Sequence, residues 1–218
     1  MLPIVLVAIG AVGGAVTGTI GSGIAHKIKS KNKIEEQTIL SGDSTDYPKV
    51  LVCGATGAGK SSLINSAFGV KVARVGEGAS VTRGINQYCV DDKELVIFDC
   101  EGFTLGNVHQ YQRRINLFFN QYDVDAVWYC INAGSKRLLD ADMVNIKQLR
   151  ECIDVEKIRI VITKVDTVSQ SDLTDLISLI KEHFPGLYPV KFSNNPKLAN
   201  QAAETIEFLI DKLSNADF

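Results

Sequence analysis

Apolar and polar positions divide this chain into three stretches. From Leu2 to Ala25 no side chain is ionisable, and these 24 residues at a helical rise of about 1.5 Å each would span roughly 36 Å, more than a hydrocarbon core. The pattern predicts a membrane helix over residues 1–26. His26, Lys27, Lys29, Lys31 and Lys33 follow on its C-terminal side only, so the positive-inside rule leaves the rest of the chain in the cytoplasm. A cleaved leader would carry its charges the other way round. Gly10, Gly14 and Gly18, continued by Ser22, leave one helical face bare enough for a second helix to approach, which points to self-association in the bilayer. The alternative is an apolar helix packed on the soluble part. Six glycines before residue 24 would cost a water-exposed helix roughly 5 kcal/mol, which favours the membrane or a tight packing site.

Residues 27–48 mix charges without sustained periodicity and end in Tyr47-Pro48, as a linker does. Beyond them, short β-branched and apolar runs predict strands at Lys49–Cys53, Ile85–Val90, Glu94–Phe98, Ala126–Asn132, Lys157–Ile162 and Tyr188–Phe192. Between the runs, helices are predicted over Ser62–Phe68, Val108–Asn120, Asp140–Cys152, Ser171–Phe184 and Pro196–Leu213, with Ser169 and Asp172 spaced as a capping box before the fourth. Residues 49–218 therefore read as one folded domain.

Composition agrees. Of 218 residues 45% are hydrophobic and 22% charged, enough apolar material to build a core with neither disulfides nor a structural metal. A net charge of -2 gives no general reason to expect a nucleic-acid partner. Cys53, Cys89, Cys100, Cys130 and Cys152 are odd in number and dispersed, with no CxxC pair, and read as reduced thiols in a core.

The chemistry begins where the first strand ends. Gly54-Ala55-Thr56-Gly57-Ala58-Gly59-Lys60-Ser61-Ser62 meets the pattern GxxxxGK[ST], with a strand before it and a helix after it. Backbone N–H groups of such a loop curl around phosphate, Lys60 supplies the charge for the β and γ phosphates, the Ser61 hydroxyl suits magnesium, and the helix dipole adds to the attraction. The third run leads into Asp99-Cys100-Glu101-Gly102: a strand-end carboxylate can hold the metal through water, and the Gly102 N–H can approach a γ-phosphate. The fifth leads into Thr163-Lys164-Val165-Asp166. A carboxylate there can accept both the ring N–H and the exocyclic amine of guanine, an edge that adenine does not offer, while the lysine stem covers the base. Ser193, Asn194 and Asn195, after the last run, could close a loop over the base.

The ordered set GATGAGKS, DCEG, TKVD and FSN resembles that of the P-loop GTPases, nearest to the Era-like and septin-like branches. The resemblance covers residues 49–218. It implies a three-layer α/β domain with a mostly parallel six-stranded sheet, one antiparallel strand and helices on both faces; binding of GTP and GDP with Mg2+; and GTP hydrolysis. It also implies a switch threonine that reaches magnesium by its hydroxyl and the γ-phosphate by its N–H. Thr82 in GEGASVTRGI matches best, with Ser80 the poorer candidate. The expected catalytic set is Lys60, Thr82 and Gly102, and the expected metal set is Ser61, Thr82 and Asp99.

Three departures from the family pattern carry weight. Thr163 stands where most relatives have Asn, which would weaken the tie from the base-binding loop to the phosphate loop. Gly57 occupies the position of the Asn of potassium-activated relatives. Phe103 follows Gly102 where Ras-like enzymes place a water-orienting Gln, so slow hydrolysis is expected unless the switch loop, a second protomer or a partner protein supplies a group. Glu101, Arg83, His109, Arg113 and Arg114 read as solvated charges. Five residues follow the closing helix, so no RNA-binding domain and no nucleic-acid partner are expected. The expected protein is a membrane-anchored GTP switch. A membrane-remodelling module under nucleotide control and an ATP-dependent P-loop protein are the alternatives.

Overall fold

Each central strand sends alternate side chains to opposite faces, and here both faces are apolar. The computed structural model describes residues 47–73, 84–90, 93–104, 106–135, 138 and 140–214. Along β1 (Lys49–Gly54), Val50 and Val52 enter one core while Leu51 and Cys53 enter the other. β3 (Leu95–Cys100), β4 (Ala126–Asn132) and β5 (Ile158–Thr163) divide in the same way: Trp128 and Cys130 lie on one side, Val127, Tyr129 and Ile131 on the other. Strands buried on both faces read as continuous hydrophobic runs and need helices above and below.

Those helices come from the intervening segments. α1 (Lys60–Phe68) and α5 (Ala199–Ser214) cover one face with Leu63, Ile64, Ala67, Phe68, Ile206 and Leu209. α2 (Val108–Phe119), α3 (Asp140–Cys152) and α4 (Gln170–His183) cover the other. With β2 (Ile85–Val90) and β6 (Val190–Lys191), the sheet runs β2-β3-β1-β4-β5-β6. Only the β2–β3 pair is antiparallel, giving the expected three layers and mostly parallel six-stranded sheet. The order reverses between β3, β1 and β4, so the loops at the C-terminal ends of these strands meet at a switch point, where open α/β sheets bind ligands.

Several boundaries differ from expectation for local reasons. β3 starts at Leu95 because Glu94, at φ 45°, turns in the left-handed region, and it runs on to Cys100, so Asp99 is a strand residue in register with Asn86 and Val52. β6 shrinks to two residues, with Tyr188 73% exposed. The closing helix is preceded by a 3-10 turn, Pro196–Leu198, in which the Lys197 N–H donates to Asn195 Oδ1 at 3.0 Å. Ser169 caps α4 as its spacing predicts, accepting the Asp172 N–H at 3.2 Å.

The membrane helix expected over residues 1–26, the linker as far as residue 46, and Ser80, Thr82 and Arg83 lie outside the described residues. Among the described residues no helix is long and apolar enough to cross a membrane.

Candidate functional site

The phosphate loop leaves β1 at Gly54 and enters α1 at Lys60. Gly59 takes φ 80° and a Cβ there would stand 3.1 Å from the Thr163 side chain, so a residue with a side chain meets the left-handed backbone penalty and a tight contact with Thr163. Lys60 is almost fully buried; its Nζ donates to the carbonyls of Ala55 at 2.9 Å and Gly54 at 3.2 Å. The loop's own carbonyls thus hold the ammonium within the turn. Gly57 is exposed, Ala58 buried, and Ser61 and Ser62 lie half-buried on the first turn of α1.

The second motif is pressed directly onto this loop. Thr56 donates its N–H to the Phe103 carbonyl at 2.9 Å and its hydroxyl to the Gly102 carbonyl at 3.0 Å. A Cβ on Gly102 would come within 2.6 Å of Thr56 N and Cα and 2.8 Å of Lys60 Nζ, so only glycine fits. This close approach brings the Gly102 backbone and the Lys60 charge to one point. Asp99 lies fully buried one residue before the end of β3. Phe103 points away: its ring is 2% exposed and packs 5.2 Å from that of Tyr111, as a core residue.

At the base-binding end Thr163, where a weaker tie was expected, still connects to the phosphate loop. Thr163, buried at the end of β5, donates its hydroxyl to the Ala58 carbonyl at 2.8 Å and also lies 3.3 Å from the Ile131 carbonyl. The tie from base loop to phosphate loop that a relative's Asn makes is supplied here by a hydroxyl. Lys164 takes the left-handed φ of 55°, which turns the chain and sets Asp166 on an exposed 3-10 turn. Ser193 Oγ donates to Asp166 Oδ1 at 2.5 Å and Asn195 Nδ2 to Oδ2 at 3.2 Å. The Ser193 hydrogen bond, chiefly, holds the Asp166 carboxyl below its ordinary value despite partial desolvation. The carboxylate is thereby kept ionised and oriented, ready to accept two N–H groups. Asn194 reaches back toward Ser62 Oγ at 3.5 Å, drawing the last loop against α1.

Three contributors went unassigned in the sequence. Tyr111 accepts the N–H of Gly54 on its hydroxyl at 3.2 Å although its spacing with Ile115 and Phe118 marks it simply as core. Glu101 and Arg114, read as solvated charges, form an ion pair at 3.1 Å and are only 19% and 23% exposed.

The arrangement suits a nucleotide with its magnesium. Gly102 and Gly59 leave a cradle that a Cβ would fill, a buried cation faces it, and the nearby hard donors are oxygens of Asp99 and Ser61, which fits Mg2+ better than a softer metal. Among the described residues no cluster of three His, Cys, Asp or Glu could hold a metal. Mg2+ binds through one or two protein oxygens plus substrate phosphates and water, so it needs none.

Comparisons with known proteins agree. Residues 49–181 match the model of the 50S ribosome-binding GTPase family. The chain is 28% identical over 148 residues to a probable GTP-binding protein EngB of Aquifex aeolicus, covering 63% of this chain and 77% of that one. It is 29% identical over 136 residues to GTPase Era of Leuconostoc citreum, covering 59% of this chain and 43% of that one. In fold it resembles Toc33 of Arabidopsis thaliana crystallised with Mg2+ and GMPPNP, at TM-score 0.59 and 19% identity over 78% of this chain and 85% of that one. Era in complex with MgGDPNP and 16S ribosomal RNA gives TM-score 0.54 at 19% identity, over 77% and 56%. The chain therefore belongs to the 50S ribosome-binding GTPase family, and is a P-loop GTPase that takes guanine nucleotide with Mg2+ and hydrolyses GTP.

Proposed function

We propose that this GTPase is a membrane-anchored switch with slow intrinsic hydrolysis, its catalytic domain on the cytoplasmic side of the helix formed by residues 2–25. The supporting observation is the run from Leu2 to Ala25 without an ionisable side chain, flanked by lysines on one side only. At the site, Lys60 neutralises the β and γ phosphates, the backbone of residues 54–62 cradles them, Ser61, Thr82 and Asp99 serve magnesium, and the Gly102 N–H meets the γ-phosphate. Lys164, Thr163, Ser193 and Asn194 frame the base and Asp166 reads its guanine edge. The core position of the Phe103 ring supports a low rate, because a phenyl ring packed there offers no hydrogen bond to orient the attacking water.

Lys60→Ala should weaken GTP binding by roughly a hundredfold, the loss of a charge-assisted contact of about 3 kcal/mol; retained affinity would remove Lys60 from the site. Asp166→Asn should shift preference from guanine to xanthine nucleotides in competition titrations, and an unchanged preference would refute the assignment. For the anchor, the full chain should fractionate with membranes and resist carbonate extraction, whereas a chain lacking residues 1–26 should not. Equal partitioning of the two would overturn it.

A second reading, helix-driven assembly under nucleotide control, draws support from Gly10, Gly14 and Gly18. Dimerization is described as important for the GTPase activity of the chloroplast translocon components Toc33 and Toc159, and Toc33 shares the fold. Crosslinking of detergent-solubilised protein with and without Gly14→Leu distinguishes an assembling helix from a simple anchor.

A further inference from the structure

The antiparallel β2–β3 ladder pairs Ile85 with Cys100; one step further out stand Gly84 and Glu101. The Glu101 N–H donates to the Gly84 carbonyl at 2.7 Å, continuing the ladder. The reciprocal N–H of Gly84 goes to the Glu101 side chain, donating to Oε2 at 3.0 Å. The reason lies one residue on, where Gly102 and Phe103 turn to the phosphate loop and give their carbonyls to Thr56. The Glu101 carboxylate closes the ladder as the chain departs. The same Oε2 is held by Arg114 Nη1 at 3.1 Å from α2. One turn earlier on α2, Tyr111 receives the Gly54 N–H, so a single helix face touches the phosphate loop and the turn that carries Gly102.

We propose that Glu101 is a positioning residue for GTP hydrolysis: its carboxylate, oriented by Arg114, clamps the turn bearing Gly102 to the start of β2 and so holds the Gly102 N–H at the γ-phosphate. It rests on the assignment of Gly102 made above. The clamp itself is the acceptor that Glu101 offers the Gly84 N–H, and the Arg114 ion pair only orients it. Glutamine at 101 keeps the acceptor and loses the ion pair. Arginine at 101 with glutamate at 114 keeps an ion pair and loses the acceptor, since a guanidinium only donates.

The test is single-turnover and steady-state GTP hydrolysis by the full-length chain, with far-ultraviolet circular dichroism and thermal melts showing that each variant is folded. Glu101→Ala should lower kcat on the order of tenfold with KM for GTP nearly unchanged, the signature of a contact that matters most in the transition state. Glu101→Gln should recover most of that loss. The double variant Glu101→Arg with Arg114→Glu should not recover it. Wild-type kcat in Glu101→Ala, or full recovery in the charge swap, would overturn the proposal. Gly102→Ala separates the two levels: unimpaired hydrolysis there would remove the underlying assignment of Gly102, whereas impairment there beside a normal Glu101→Ala would remove the clamp alone.

Discussion

Asp166 is an exposed carboxylate whose usefulness depends on two neighbours. The Ser193 hydrogen bond lowers its folded pKa below the ordinary carboxylate value, which lies near 4. A lowered folded value means that the ionised, oriented form is present above the ordinary pKa and is lost only as pH falls through the lower folded value. Guanine recognition should therefore persist through mild acid. Ser193→Ala removes the largest cause of the shift, so the carbon-13 titration of the Asp166 carboxyl should move upward and GTP affinity at about pH 5 should begin to fall where the wild type holds. A titration identical to wild type would mean that Asn195 alone sets the carboxylate.

At the level of elements, the strands were legible because each is a short apolar run buried on both faces, and the phosphate loop because its glycines stand between a strand and a helix. Less legible were contacts that depend on where one element meets another. The substitution of Thr for Asn at 163 suggested a weakened tie, yet β5 places that hydroxyl 2.8 Å from the Ala58 carbonyl, close enough for a shorter side chain to do the same work. Glu101 and Arg114 looked like ordinary surface charges, since nothing in a one-dimensional pattern reveals that α2 lies along the end of β3. The Thr163 tie can be tested directly. Thr163→Val keeps the shape and removes the donor, so a buried carbonyl loses its partner, a cost of about 1–3 kcal/mol. Urea unfolding should show that loss, and a fluorescent GDP should dissociate faster; unchanged values in both would deny the tie any role.

Across the whole molecule, the sheet order brings the phosphate loop, the Asp99–Gly102 segment and the base-binding loops to one edge while two cores sit on either side of the strands. The five thiols follow the same division. Cys53, Cys89, Cys100 and Cys130 are buried and Cys152 is half-buried, and burial chiefly pushes the Cys100 and Cys130 thiols up to about 12. A thiol reagent at neutral pH should therefore modify Cys152 alone in the native protein and all five after denaturation; a second fast thiol in the native state would contradict this packing. The Phe103 ring, anchored in the core beside Tyr111, has a consequence for how such a protein changes over generations. A glutamine introduced there would inherit the ring's inward direction rather than face a water, so faster turnover is not one codon away. The lifetime of the GTP-bound form must then be tuned by groups other than residue 103, from elsewhere in the chain or from whatever meets this edge of the sheet from outside.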